Sequence, residues 1–234
     1  MKSRIQVIQA MKTIQTQGGN AGKKSNNIIL FLAANPSDTT ELDLEKEFVK
    51  VANKLQDAPY QVKSNWASTA DALQDSLLKY KPRFVHFSGH GEGKATAGAR
   101  GALGGEKKSI NASPSGIYLQ NANGESQLVR GEALAHLFKT CLKIFKIEVV
   151  ILNACYSEAQ AKKIFEAGIP YVVGMNRAVN DDTAIEFANG FYRGIANKAD
   201  VSIAFELAVG SIMLQGLEGD NIPVLYKKID FSAF

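Results

Sequence analysis

Two long apolar runs, each ending abruptly in a reactive side chain, dominate the hydrophobic pattern of the chain. The first run, residues 83–88, leads to His90, and the second, residues 147–154, leads to Cys155. Neither run alternates with polar residues, a pattern typical of strands buried on both faces of a parallel sheet. Because functional sites of open parallel sheets lie beyond the carboxyl ends of the strands, His90 and Cys155 are predicted to lie at the same edge.

Shorter apolar segments around these runs indicate alternating strands and helices. Further strands are predicted at residues 28–34, 59–66, 170–174 and 223–226, with a β-hairpin at 116–119 and 126–129. Six helices are predicted. The first follows the turn at 35–38, the second begins after a Ser68 cap, and the next two cover 131–141 and 157–165. The fifth starts at Asp181 or Asp182, and the sixth at Asp200 or Ser202. The inner face of the first is formed by Leu42, Leu44, Phe48, Val51 and Leu55, and the sixth carries Phe205, Leu207, Val209 and Leu214. The initial β-α-β-α-β order predicts an α/β fold with a right-handed, parallel, doubly wound sheet.

The first 27 residues differ from the rest of the chain in pattern and in charge. Apolar residues between Ile5 and Ile14 recur at roughly helical spacing, which predicts an amphipathic helix over residues 3–16. A Gly-, Asn- and Lys-containing stretch follows, as is typical of a flexible linker. A helix this short is marginal alone, so it must dock on the domain, a partner or another copy. We therefore divide the chain into a helix and linker, 1–27, and a domain, 28–234.

Residues 92–115 interrupt the alternation with a polar, glycine-rich segment. Its glycines do not directly follow a strand or open a helix, so a dinucleotide-binding fingerprint is not indicated. The segment is too poor in large apolar residues to bury a core, and it leaves directly from His90. We expect a mobile regulatory loop, in which Arg100, Lys107 and Lys108 are candidate sites of self-cleavage. A surface insertion without a regulatory role is the alternative.

Composition and charge narrow the class of protein. The chain is 45% hydrophobic and 21% charged, which is ordinary for a soluble globular protein. Its net charge is +4, but residues 1–27 alone carry five basic residues and no acidic one, so the remainder, at −1, offers no broad basic surface for nucleic acid. The two cysteines, Cys141 and Cys155, show no disulfide-framework or CxxC spacing. With no signal peptide and no membrane-spanning run, a cytoplasmic protein is expected, and neither a metal nor a cofactor is predicted.

The residues that end the two long runs have the chemistry of a nucleophile and its base. A thiol needs a base to become a thiolate near neutral pH, and an imidazole titrates in the right range. A glycine after His90 lets a backbone N–H approach a substrate closely, so the amides of Gly91 and Cys155 are candidate oxyanion donors. Cys155 also lies just before a predicted helix, whose N-terminus favours a thiolate. His86, on the same strand as His90, is interpreted as a structural hydrogen-bonding residue.

Two motifs carry these residues: His-Phe-Ser-Gly-His-Gly at 86–91 and Leu-Asn-Ala-Cys-Tyr-Ser at 152–157. They resemble the two catalytic motifs of CHAT-domain proteins, prokaryotic members of the caspase-like (clan CD) cysteine peptidases related to separase and the metacaspases. Further similar segments extend the resemblance over roughly residues 27–228. It implies a caspase-hemoglobinase-like three-layer α/β sandwich, with a mostly parallel central sheet and helices on both faces. It also implies Cys155 as the nucleophile and His90 as the general base and acid, with no third triad residue required.

The chain departs from its better-known relatives at the positions that set specificity. Caspases have Gln-Ala-Cys-x-Gly at the nucleophile, where this chain has Asn-Ala-Cys-Tyr-Ser, so specificity for aspartate is not expected. Metacaspases carry Asp two residues before the nucleophile, which favours a basic substrate residue; here that position is the neutral Asn153. Asp181 and Asp182 lie in a segment similar to an acidic stretch of separase that faces the substrate arginine. All three residues are candidates for substrate binding, and the two aspartates are candidates for the negative charge behind a preference for Arg or Lys; alternatively, one of the two aspartates caps the next helix.

A cysteine endopeptidase that cuts one or a few protein substrates is the function implied by this resemblance. CHAT domains commonly act in prokaryotic defence or programmed-death systems, so an activating partner or sensor protein is expected, with the N-terminal helix as its candidate contact. A catalytically silent interaction module with the same fold is the main alternative. A nucleotide-binding or NAD-hydrolysing signalling domain is a third possibility, but the chain lacks a convincing phosphate-binding loop.

Overall fold

Six strands form one sheet through the middle of the protein. The computed structural model describes residues 27–93 and 115–228. The six strands are β1 (Ile28–Ala34), β2 (Gln61–Trp66), β3 (Phe84–Gly89), β7 (Val149–Asn153), β8 (Tyr171–Met175) and β9 (Pro223–Lys227). Their spatial order is β2-β1-β3-β7-β8-β9; the first five run parallel and β9 is antiparallel to β8. The mostly parallel sheet predicted from the sequence is therefore confirmed.

A second, smaller sheet is attached directly to the end of β3. It is antiparallel and consists of β4 (Gly91–Glu92), β5 (Gly116–Gln120) and β6 (Ser126–Arg130). The strands β5 and β6 are the predicted hairpin. The N–H of Tyr118 on β5 donates to the His90 carbonyl at 2.9 Å, so the hairpin holds the main chain immediately beyond β3.

Helices cover both faces of the main sheet. They are α1 (Leu44–Lys54), α2 (Ala70–Tyr80), α3 (Gly131–Cys141), α4 (Glu158–Glu166), α5 (Asp181–Ala196) and α6 (Val201–Leu214). Alternate residues of β1 serve two separate cores: Ile29 and Phe31 pack with α1, α5 and α6, whereas Leu30 and Leu32 pack with α2, α3 and α4. The result is a three-layer α/β sandwich, as expected for a caspase-like protein.

Two predicted helix caps are corrected by the structure. Thr69, not Ser68, caps α2, since the Thr69 hydroxyl accepts the N–H of Ala72. The Ser68 hydroxyl instead donates to the main chain and side chain of Asn65. Asn180, and neither of the two aspartates after it, caps α5 by accepting the N–H of Thr183. The two aspartates lie in the first turn of α5, where negative charge is favourable, but they do not supply the capping bond.

The helices α5 and α6 pack closely through small residues. A Cβ added to Gly190 would lie 2.6 Å from Ser211 Oγ and 2.7 Å from the Cα of Ala208. A Cβ on Gly194 would lie 2.8 Å from the Cα of Ala204. Because these contacts include main-chain atoms of α6, a larger side chain at either glycine forces the two helices apart.

We expect Gly190→Ala to destabilise the protein by about 1–3 kcal/mol, because overpacking the helix interface outweighs the gain in helix propensity. Gly210→Ala is the matched control: it lies in α6 with no atom within 4 Å of the added Cβ, and it should be neutral or stabilising. The free energy of unfolding in denaturant is the measurement. Equal stability of the two variants would contradict the close packing.

Several predictions concern residues outside the described ranges. The helix over residues 3–16 and the linker after it are among them. So is most of the predicted regulatory loop, with its candidate cleavage residues Arg100, Lys107 and Lys108. Within residues 27–93 and 115–228, no helix combines the length and the apolar character needed to cross a membrane.

Candidate active site

The predicted nucleophile and base lie together at the carboxyl edge of the main sheet. The strands β3 and β7 are parallel neighbours, with Ser88 paired to Asn153, so His90 and Cys155 each follow two residues after this pair. Both line a cavity of about 200 Å³, together with Asn153 and Asp181. Of the six predicted site residues, the cavity thus contains four, Gly91 lies beside it, and Asp182 is exposed outside it.

The ring of His90 is oriented by a backbone carbonyl. His90 Nε2 lies 2.7 Å from the carbonyl oxygen of Thr40. A carbonyl can only accept, so we assign the proton of the neutral ring to Nε2. The other ring nitrogen, Nδ1, is then the acceptor, which is the form that a general base requires.

The loop that carries Thr40 is stabilised by hydrogen bonds within the loop and to the hairpin β5–β6. The side chain of Asn35 donates to the Leu42 carbonyl at 3.1 Å and accepts the Leu42 N–H at 3.2 Å. The Asp38 carboxylate accepts both the N–H and the hydroxyl of Ser126, each at 2.7 Å, and these bonds lower the pKa of Asp38. The orientation of His90 therefore depends on a braced loop and, through Ser126, on the hairpin β5–β6.

The thiol of Cys155 contacts the loop between β8 and α5. Its Sγ lies 3.4 Å from the N–H of Val179 and 3.5 Å from the Val179 carbonyl oxygen. The next residue, Tyr156, has a φ of 55°, an uncommon conformation for a residue with a side chain and one that is enriched at functional sites. The other cysteine, Cys141, is 1% exposed, and burial raises the pKa of its thiol. Of the two cysteines, only Cys155 is partly exposed and lines the cavity.

The helix after Cys155 begins slightly later than the sequence suggested. Ser157 occupies the capping position of α4, and Glu158 is the first helical residue. The Ser157 hydroxyl does not cap the helix; it donates to the Leu152 carbonyl at 2.8 Å and accepts the Met175 N–H at 2.9 Å. It thereby fixes the turn that presents Cys155 between β7 and β8.

Gly91 is packed directly against the main chain of Cys155. A Cβ at this position would lie 2.3 Å from the Cys155 carbonyl oxygen and 3.2 Å from the Ala154 Cβ. The bond from Tyr118 N–H to the His90 carbonyl makes Gly91 and Ile117 a pair without mutual hydrogen bonds, so the Gly91 N–H is not used by β5. Only glycine fits here, and its amide is not consumed by the hairpin.

Asn153 is buried and hydrogen-bonded within the protein rather than exposed on the surface. It is 3% exposed, and its Nδ2 donates to Glu47 Oε1 at 2.8 Å and to the Ala184 carbonyl at 3.0 Å. Both partners are acceptors, which fixes the orientation of the amide. The other amide atom, Oδ1, is buried and has no hydrogen-bond partner in the structure.

Glu47 is a site residue that the sequence reasoning missed. It lies on α1, is 2% exposed, lines the cavity, and accepts hydrogen bonds from His86 Nε2, the Ser88 hydroxyl and Asn153 Nδ2. The signal was present in the sequence: Glu47 falls beside Phe48 on the apolar stripe of an amphipathic helix, where a charge requires partners. His86 is the structural hydrogen-bonding residue that the sequence indicated.

The two candidate aspartates have different surroundings. Asp181 is partly buried, and its Oδ2 accepts the N–H of Asp43 at 3.1 Å. Asp182 is exposed and forms a 2.9 Å ion pair with Lys46, which lowers the pKa of Asp182 and raises that of Lys46. Of the two, only Asp181 can present a carboxylate to a molecule in the cavity.

A known protein family matches most of the chain. Residues 2–218 match the family model described as the CHAT domain. The chain belongs to the CHAT-domain family. This CHAT domain is 23% identical, over 235 residues, to a protein of Gillisia limnaea named "Probable protease", a match that covers 98% of this chain and 38% of the relative.

A second relative of this CHAT domain carries a more specific name. The chain is 25% identical, over 218 residues, to a "Roc-COR-CHAT protease" from an unknown prokaryotic organism; the match covers 86% of this chain and 18% of the relative. The chain thus spans well under half the length of either relative. Both of these relatives carry the word protease in their names.

Proposed function

We propose that this CHAT domain is a cysteine endopeptidase in which Cys155 is the nucleophile and His90 is the general base and acid. The observation that carries this proposal is the shared cavity at the ends of two adjacent strands, where the Thr40 carbonyl binds His90 Nε2–H and leaves Nδ1 to accept a proton. A nucleophile, a base and a group that orients the base are the parts that covalent catalysis requires.

The proposed reaction has two steps. Cys155 Sγ loses its proton to His90 and attacks the carbonyl carbon of the scissile bond; the carbon–nitrogen bond then breaks, and His90 returns the proton to the leaving amine. Water, deprotonated by His90, next attacks the thioester, the carbon–sulfur bond breaks, and the thiol is restored. The amides of Gly91 and Cys155 are the proposed donors to the oxyanion of both tetrahedral intermediates.

The proposed substrate is a specific protein, cut in a prokaryotic defence or programmed-death pathway in the cytoplasm. The greater length of the two protease-named relatives is compatible with domains that sense a trigger and control the peptidase. For this chain we propose an activating partner or sensor protein. A catalytically silent interaction module would not need a hydrogen bond that orients the His90 ring. The bond to the Thr40 carbonyl therefore disfavours this alternative.

Mapping cleavage sites tests the proposal. Peptides from a digested proteome, and the proteins encoded beside this gene, are incubated with the wild-type protein or with Cys155→Ala, and new N-termini are identified by mass spectrometry. We expect the cleavage sites of the wild-type protein to share a sequence pattern. None of these sites should be cut by Cys155→Ala. A set of cleavages unchanged by that substitution would overturn it.

A basic residue before the scissile bond is the proposed preference, and Asp181 is one source of it. A carboxylate in the cavity can form a charge-assisted pair with a guanidinium or ammonium group. We expect Asp181→Asn to reduce kcat/KM for basic substrates by roughly 10-fold, the loss of one hydrogen bond to a charged group. Fluorogenic peptides that differ only in this residue measure the effect.

Asp182→Asn is the matched control for this prediction. It removes the same charge one residue further on, but from a carboxylate already paired with Lys46 and outside the cavity. Basic preference should be unchanged. A preference for aspartate or for small apolar residues in the wild-type protein would refute the proposed role of Asp181.

A further inference from the structure

The charges around the cavity are unevenly neutralised. Five carboxylates lie in this region: Asp43, which caps α1, Glu47 on α1, and Asp181, Asp182 and Glu186 on α5. Two lysines of α1 pair with the two that do not line the cavity, Lys46 with Asp182 at 2.9 Å and Lys50 with Glu186 at 2.8 Å. In the described part of the chain, none of the three that line the cavity, Asp43, Glu47 and Asp181, has a lysine or arginine ion-pair partner. Asp43 is exposed and accepts the Lys46 N–H at 3.2 Å as the cap of α1, so Glu47 and Asp181 are the two more buried carboxylates of the cavity that no basic side chain neutralises.

His86 does not cancel the charge of Glu47. The fully buried hydroxyl of Tyr192 lies 3.2 Å from His86 Nδ1, and burial raises the pKa of Tyr192 well above its usual value, so the hydroxyl keeps its proton. A buried hydroxyl donor needs an acceptor, and Nδ1 fills that role only in a ring without a proton there. We therefore assign the ring proton to Nε2, which donates to Glu47. With this assignment, His86 donates to Glu47 without adding a positive charge.

The hydrogen bonds to Glu47 position the charge without neutralising it. Ser88 and Asn153, like His86, donate to the carboxylate as uncharged groups. Asn153, two residues before Cys155, supplies no charge of its own, but its Nδ2 donates to Glu47. Its Oδ1 is a buried acceptor without a hydrogen-bond partner. A carboxylate with little exposure and no cation costs free energy, so a cation that enters the cavity is favoured.

We propose that Glu47 is the specificity-determining carboxylate of this cavity and that, together with Asp181, it selects a substrate arginine over lysine and over neutral residues. This inference rests on the proposed function. It assigns to Glu47 the negative charge that the neutral Asn153, two residues before Cys155, does not supply. A guanidinium is more weakly hydrated than an ammonium and offers five N–H donors in a fixed plane. It can therefore meet carboxylates contributed by two different helices better than a single ammonium can.

Three covalent probes test the proposal on the full chain. They are peptidyl acyloxymethyl ketones that differ only in the residue next to the reactive group: arginine, lysine or citrulline, the last being the uncharged isostere of arginine. The rate of Cys155 modification is followed by intact-protein mass spectrometry. In the wild-type protein we expect the arginine probe to react at least ~100-fold faster than the citrulline probe, the sum of two charge-assisted contacts.

Glu47→Gln should lower the arginine-to-citrulline rate ratio by about 10-fold or more, because the substitution removes the negative charge that favours arginine; the ratio is the readout, since it cancels any effect common to both probes. Glu186→Gln is the matched control. It removes an equally buried carboxylate of the facing helix that Lys50 already neutralises, so the ratio should be unchanged. A ratio unaffected by Glu47→Gln, or lowered equally by Glu186→Gln, would overturn the proposal.

A second variant keeps the test valid if Glu47→Gln does not fold. In Asp181→Asn, Glu47 remains as the buried carboxylate that lines the described cavity without a basic partner, beside the exposed Asp43 that caps α1, so the ratio should fall but stay above about 10. A ratio near one in this variant would show that Glu47 contributes nothing. The failures are distinguishable: equal modification of Cys155 by all three probes would leave the endopeptidase proposal standing and refute this inference, whereas no modification by any probe would refute both.

Discussion

Cys155→Ala and His90→Ala are expected to abolish peptide-bond cleavage while leaving the fold intact. Loss of the nucleophile should reduce kcat on the order of 10⁴-fold or more, because no other group at the site can form the thioester. Loss of His90 removes the acceptor for the thiol proton and the donor to the leaving amine. Both residues are partly exposed at the sheet edge, so truncation leaves little cavity and the free energy of unfolding should change by less than about 1 kcal/mol.

Cleavage of a fluorogenic peptide and thermal unfolding, measured on the same samples, check this pair of variants. Cys141→Ala is the control for cysteine removal in general; it leaves the sheet edge untouched, although it creates a core cavity and should lower stability. If His90→Ala kept more than about a tenth of the wild-type rate, less than ~1.4 kcal/mol of the barrier would depend on it, and the assignment of the dyad would be wrong.

Gly91→Ala is expected to have the next largest effect. The added Cβ would lie 2.3 Å from the Cys155 carbonyl oxygen, a main-chain atom that cannot rotate away. Either the nucleophile or the segment that carries His90 must then shift. A displacement of about 1 Å at reacting groups costs on the order of 100-fold in rate, and we expect at least that loss in kcat/KM.

Two measurements distinguish displacement from unfolding in this variant. Thermal unfolding should remain cooperative, and Gly210→Ala, which adds the same methyl group in open space on α6, should keep full activity. Retention of more than about a third of the activity by Gly91→Ala would show that the contact with Cys155 does not constrain the site, since a real misplacement costs far more.

The sheet, and the position of His90 and Cys155 at one edge of it, could be predicted because their signals are local and continuous. The apolar runs that became β3 and β7 are unbroken, and adjacency of parallel strands brings His90 and Cys155 to one edge without any further information. The hairpin β5–β6 was equally legible from its Asn-Gly turn between two short apolar segments. What the sequence could not supply was the partner of the His90 ring, since Thr40 lies 50 residues away and acts through its backbone carbonyl.

The role of Glu47 depends on contacts that no local pattern contains. Its partners His86, Ser88 and Asn153 lie 39, 41 and 106 residues away in sequence. A charge beside Phe48 on an apolar stripe is a visible anomaly, but only the folded chain shows that three donors from two strands meet it. The same limit applies to Asp181 and Asp182, which are neighbours in sequence and are separated in role by the positions of Asp43 and Lys46 on another element.

The last helix shows why hydrophobicity alone misplaces a buried face. Among the apolar residues predicted for α6, Leu207 and Leu214 are 45% and 85% exposed, whereas the small Ala204 and Ala208 are fully buried. Close approach of α5 selects small side chains for the contact, and Leu residues that would hold the helices apart are excluded from it. An apolar helix of nearly uniform hydrophobicity therefore does not reveal which side faces its neighbour.

The most direct test of the central claim, that Cys155 is an active-site nucleophile, is covalent labelling followed by peptide mapping. The full-length protein is treated with the arginine acyloxymethyl ketone, and the modified residue is located by mass spectrometry in the wild type, Cys155→Ala, Cys141→Ala and His90→Ala. We expect one label per chain, on Cys155, retained in Cys141→Ala and lost or strongly slowed in the other two variants. Labelling of Cys141, or labelling of Cys155 at an unchanged rate in His90→Ala, would contradict it.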